Sequence, residues 1–138
     1  MELAEFMAEY GESLSEYIID NMKPVYNPTM HDQPLPRGLL RYPIGSQSYA
    51  VQGVALSIER NRGTVVIGEM GVGKTIVAIV ATKMAGMKTP LILCPPHLTT
   101  NWKKEIQETL PDAQVIICET ITDLEKARAM AQSTDETV

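Results

Sequence analysis

Eight consecutive residues, Gly68-Glu69-Met70-Gly71-Val72-Gly73-Lys74-Thr75, have the types and spacing to hold phosphate. The pattern G-x-x-x-x-G-K-[ST] lets a backbone wrap around phosphate oxygens with its N–H groups turned inward, because glycine accepts positive φ and permits close approach. Within it, Lys74 is expected to reach the β and γ phosphates of a nucleotide, and the Thr75 hydroxyl to ligate Mg²⁺. The helical pattern that begins near Gly73 adds unpaired N-terminal N–H groups and the positive end of a helix dipole.

Such a loop needs elements to position it. The apolar run Thr64-Val65-Val66-Ile67 before it predicts a strand, and residues 76–85 after it predict a helix apolar on nearly all sides, as a helix packed against a sheet would be. Residues 90–94 form a continuous apolar run, the sign of a parallel strand buried on both faces, and Pro95-Pro96 stops it. Thr99 or Thr100 can then N-cap a helix that places Trp102, Ile106 and Leu110 on one face. A third apolar run, 114–118, and a last amphipathic stretch, 121–131, complete the alternation. Upstream, Tyr49, Val51, Val54, Ala55 and Ile58 mark a helix starting at Ser46. Strands alternating with helices predict an α/β domain with a parallel sheet.

The organisation expected is an N-terminal amphipathic helix in 1–23, a Pro-rich linker in 24–45 and a nucleotide-binding unit in 46–138. Leu3, Met7, Tyr10, Leu14 and Tyr17 recur at spacings of four and three in the first segment, with glutamates largely on the other side. The linker holds Pro24, Pro28, Pro34, Pro36 and Pro43 and no apolar periodicity. The chain's net charge of −5 belongs to this arm, since residues 1–36 hold seven acidic residues and one basic. An acidic total weakens tight nucleic-acid binding by the chain alone, and an acidic polar face disfavours a membrane surface. Two cysteines, Cys94 and Cys118, lie in apolar runs without metal-ligand spacing and read as free, buried thiols of a reducing compartment. The first residues are acidic where a signal peptide would be basic, and no apolar run approaches ~20 residues, so the expectation is a soluble, intracellular, cytoplasmic chain without a membrane partner.

The loop, followed about twenty residues later by Pro95-Pro96-His97-Leu98-Thr99-Thr100-Asn101-Trp102-Lys103-Lys104-Glu105, resembles the first two signature motifs of superfamily 2 helicases, closest to the Swi/Snf-like translocases. The resemblance covers roughly residues 46–120. It implies an ATPase lobe of RecA type, a three-layer α/β/α P-loop NTPase with a parallel sheet, taking ATP and Mg²⁺. It carries Gly71, Gly73, Lys74 and Thr75 over to phosphate and Mg²⁺ binding, and implies nucleic-acid contact, in the first place with DNA, for the segment containing Pro96, His97, Thr99 and Thr100. It also implies an upstream glutamine that reads adenine through a bidentate pair. Gln52 is the first candidate and Gln47 the second, with Tyr42 or Tyr49 to stack on the base.

The same family activates water with an Asp-Glu pair at the end of a later strand and completes the site with arginines from a second lobe. No such pair follows an apolar run here, and 115–119 imitates the pattern with Cys118 in the metal-binding position. The expectation is an N-terminal piece of a helicase-like protein, lacking its C-terminal lobe, that binds ATP or ADP but does not turn it over. A stand-alone, non-catalytic nucleotide-binding module is the alternative, and a P-loop kinase a more distant one. The exposed edge of an incomplete sheet and the apolar stripe of the arm lead to the expectation that the arm packs back on its own unit or on a neighbouring copy, with self-association of the chain or a loss of solubility without residues 1–23.

Overall fold

The structure, a computed structural model, describes residues 2–135. Its helices are α1 (Leu3–Asn21), the single turn α2 (Pro28–His31), α3 (Ser46–Asn61), α4 (Lys74–Met84), α5 (Thr99–Thr109) and α6 (Ile121–Asp135), with a 3-10 turn, Pro96–Leu98, leading into α5. Each arises from local pattern. A capping box joins Glu2 and Glu5 at the start of α1, and the Glu2 N–H donates to Glu5 Oε2 at 3.1 Å. Asn27 caps α2 by accepting from the Thr29 N–H, with Pro28 in the first turn. Thr120 and Asp123 cap α6 reciprocally, and the Thr120 hydroxyl and N–H hold the Asp123 carboxyl below its usual range. Among the described residues no helix is long and apolar enough to cross a membrane.

The core forms around α4. Ile76, Val77, Val80 and Ala81 are buried against Val51 of α3 and Leu39, and Leu35, Val54, Met84 and Leu110 close the cluster. Val51 and Val80 are fully buried, each stabilising the fold by about 1.5–3 kcal/mol. The Pro-rich stretch contributes to this packing: beside Leu39, the Leu40 N–H donates to the Thr109 carbonyl at 3.0 Å, tying the stretch to the end of α5. Thr109 is fully buried, and its hydroxyl has no hydrogen-bond partner.

The expected α/β architecture is not formed. Among the described residues there is no strand and no sheet, and the runs at 64–67, 90–94 and 114–118 are irregular connections. The expected RecA-like three-layer sandwich is therefore corrected to a helical assembly. Val65, Ile67 and Leu93 are 84%, 93% and 87% exposed, so these runs are not buried either. The physical reason lies in where each element finds its partners. A helix closes its hydrogen bonds four residues away, whereas a parallel strand needs a neighbour delivered by a crossover and cover on both faces. Here the apolar faces of α3, α4 and α5 pack on one another, and nothing covers both sides of a sheet. The cysteines follow the same correction: both are free, but Cys94 is half-buried and Cys118 exposed.

α1 stands apart. Among the described residues the packing between helices runs from α3 to α4 and from α4 to α5, and α1 has no substantial contact with another element. Its apolar stripe, including Leu3, Met7, Leu14 and Tyr17, is exposed.

Candidate functional site

Residues 68–75 bring the core to the surface at the head of α4. Gly71 and Gly73 both have φ of +85°, in the left-handed region that favours glycine, and Gly73 is the N-cap of α4. Val77 N–H donates to the Gly73 carbonyl at 3.2 Å, so the first turn closes on the loop itself. The N–H groups ahead of that bond lack intrahelical partners. Lys74 bends back over the loop, its Nζ donating to the carbonyl oxygens of Gly68 at 2.9 Å and Glu69 at 2.7 Å. These acceptors are neutral, and an anionic phosphate oxygen makes a stronger, charge-assisted bond to the same ammonium.

A cleft of about 260 Å³ opens beside this turn, lined by Arg41, Gly71, Gly73, Lys74, Thr75, Ile76 and Glu105. Its donor set is two cationic side chains, a hydroxyl and a helix N-terminus, which suits a polyphosphate. Gly68, Glu69, Met70 and Val72 do not line the cleft, and Met70 is 98% exposed. Among the described residues no cluster of three His, Cys, Asp or Glu could hold a metal ion. Thr75 brings the one hydroxyl of the lining, an oxygen of the kind a hard cation takes.

The two candidate glutamines have separated roles. Gln47 lies against the loop, its Nε2 donating to the Val72 carbonyl at 3.0 Å and its Oε1 accepting from the Ile44 N–H at 3.1 Å. Gln52 is buried elsewhere: its Oε1 accepts from the Gln33 N–H at 2.8 Å and the Tyr26 hydroxyl at 3.3 Å, and its Nε2 donates to Asp32 at 3.1 Å. It lines a separate cavity of about 70 Å³ with Tyr26, His31 and Glu59, which shares no residue with the loop at 68–75. Tyr42 and Tyr49 are exposed and do not line the larger cleft.

The second motif forms the 3-10 turn and the head of α5. Pro96, His97 and Thr100 are exposed and Thr99 is half-buried. Neither threonine is the N-cap, which is Leu98, and the Thr99 hydroxyl instead donates back to the Pro96 carbonyl at 2.8 Å. Trp102 is partly buried on the same helix.

Two residues of the cleft escaped the reading of the sequence. Arg41 sits in the Pro-rich stretch and Glu105 in α5, 64 positions apart, and Arg41 Nη1 meets Glu105 Oε2 at 2.8 Å. The available signal was their place beside the two motifs, Arg41 shortly before Gln47 and Glu105 at the end of the second.

A family model described as the SNF2-related domain matches residues 6–137. No curated protein and no solved structure matches the chain.

Proposed function

This chain belongs to the SNF2-related domain family, whose members are ATP-dependent helicases and translocases, and from that premise we propose that it binds ATP or ADP with Mg²⁺ at the head of α4. Lys74 engages the β and γ phosphates, the backbone of residues 71–75 cradles them, and Thr75 supplies an oxygen to Mg²⁺, which would neutralise phosphate charge there. The observation that carries this reading is the pair of left-handed glycines at the N-terminus of a buried helix, with the Lys74 ammonium already folded over the loop.

Gln47 is the better placed of the two glutamines to sense the base, because it touches the loop, whereas Gln52 is buried beside a separate cavity. Pro96, His97, Thr99 and Thr100 are proposed to meet a nucleic-acid strand, DNA in the first place. The exposed turn at the head of α5 offers N–H and hydroxyl donors to phosphate. Turnover is assigned only to an assembly that adds an acidic pair from a later strand and arginines from a second lobe, since no Asp-Glu pair follows an apolar run in this sequence.

Calorimetry with ADP and ATP in the presence of Mg²⁺ tests the core of the proposal. Binding by the wild-type chain that is lost in Lys74→Ala is the expected result. Equal affinity in the two proteins would remove the loop from the site.

A further inference from the structure

Resting on the nucleotide reading above, we infer that Arg41 is a further phosphate ligand of the cleft, held in reserve by Glu105 and released to the polyphosphate when it binds. The cleft places Arg41 in the same cavity as Lys74 and Thr75, and it also places the Glu105 carboxylate there. A carboxylate in a cavity that takes a polyanion repels its ligand unless a cation screens it. Arg41 is that cation.

The geometry of the pair favours exchange over permanence. Arg41 reaches Glu105 at 2.8 Å and Glu108 at 3.5 Å, and both contacts use Nη1. A guanidinium carries five donors in a planar fork, so the edge that includes Nε and Nη2 is not consumed by these carboxylates and matches two phosphate oxygens. The Arg41 side chain is about half exposed, which weakens the attraction that a phosphate has to overcome.

The two glutamates are not equivalent. Glu108 also meets Lys104 one turn earlier on α5, at 3.7 Å, and keeps that partner when Arg41 departs. Glu105 is the more enclosed of the two, and Arg41 is its ion-pair partner in the structure. Glu105 is therefore the residue whose charge decides where Arg41 sits.

The exchange has a mechanical consequence. α5 is attached to the Pro-rich stretch at two adjacent points, by the Leu40 N–H to the Thr109 carbonyl at 3.0 Å and by the Arg41 pair. Removing the second leaves α5 held by the first and by its packing on α4, so the surroundings of the helix change without its being detached.

Four variants read by calorimetry against Mg·ATP and Mg·ADP test the inference: Arg41→Ala, Arg41→Lys, Glu105→Gln and Lys74→Ala. Glu105→Gln is expected to tighten binding about three- to tenfold, and Arg41→Ala to weaken it by a similar factor, with Arg41→Lys between wild type and Arg41→Ala. A salt bridge that serves only the fold would move both partners' variants in one direction. Trp102, the single tryptophan of the chain, lies on α5 three residues before Glu105 and reports the helix directly. Its emission should shift on titration of wild type with Mg·ATP and shift little in Glu105→Gln, where the attachment is already open.

Opposite signs for Glu105→Gln and Arg41→Ala, with that emission pattern, support the inference. Same-direction or null effects in both, while Lys74→Ala still abolishes binding, overturn it and leave the nucleotide site standing. No binding by the wild-type chain overturns both. Should Arg41→Ala fail to fold, Arg41→Lys and Glu105→Gln carry the comparison.

Discussion

Gln47 Nε2 donates to the Val72 carbonyl oxygen at 3.0 Å, so the head of α3 grips the glycine-rich loop one residue before Gly73. The grip leaves no room at the next position. A Cβ placed on Gly73 would stand 2.5 Å from Gln47 Nε2, and Gly73 already has a φ of +85°. Gly73→Ala should therefore cost about 1–2 kcal/mol from backbone strain alone and displace Gln47. Chemical denaturation would measure the first effect and nucleotide titration the second. Adding Gln47→Ala should recover part of the stability and none of the strain. An unaltered Gly73→Ala protein would mean that the loop tolerates a different path.

Gln52 and Gln47 should behave as residues of different kinds. Gln52→Ala removes the side-chain partner of the Gln33 N–H and of Asp32, both of which can turn to water, and should lower stability by about 0.5–1.5 kcal/mol, with the ATP to GTP preference unchanged. Gln47→Ala should change that preference with a smaller loss of stability. Paired melting curves and competition titrations decide it, and a base preference that follows Gln52 would reverse the assignment.

Thr109→Val should stabilise the chain by about 1 kcal/mol. The hydroxyl is buried without a partner, and valine replaces it with a methyl group of similar size. The bond from Leu40 N–H ends on the Thr109 carbonyl, so the substitution leaves it intact. A lower denaturation midpoint in Thr109→Val would show that the hydroxyl has a function in the core.

The stripe on α1 should pair with a second copy of the chain. Its spacing of four and three is a heptad in which Met7 and Leu14 take position a and Leu3, Tyr10 and Tyr17 take position d. Glu5, Glu9, Glu12 and Glu16 then fall on outer positions, so two acidic helices can meet without placing these charges across the seam. Light scattering should find a self-associated species for the full chain, and a monomer for Leu14→Glu and for the chain lacking residues 1–23. A monomer in all three would leave α1 without this role.

The sequence made the helices legible and the sheet illegible for one reason. A helix such as α1 or α4 closes its backbone hydrogen bonds within a few residues, so its local pattern suffices to form it. An apolar run such as 90–94 says that burial would be favourable and nothing about what could provide it; in the structure Leu91 and Leu93 stay exposed. The site divides the same way. The loop at 68–75 is contiguous, so one stretch of sequence displays its glycines and Lys74 together. Arg41 and Glu105 meet only through the packing of α5, and no spacing announces a pair 64 residues apart. Gln47 and Gln52 differ by five positions on α3, about 140° around the helix, so a single face cannot present both, but the sequence does not say which face meets the loop.

α4 begins at the cleft and is buried along Ile76, Val77, Ile79, Val80 and Ala81, which makes the most enclosed helix of the chain also the wall of its site. A genetic screen for lost nucleotide binding would accordingly return alleles at Val51 and Val80, residues that line no part of the cleft. Separation-of-function alleles belong instead among Arg41, Gln47 and Lys74, whose side chains lie outside the core.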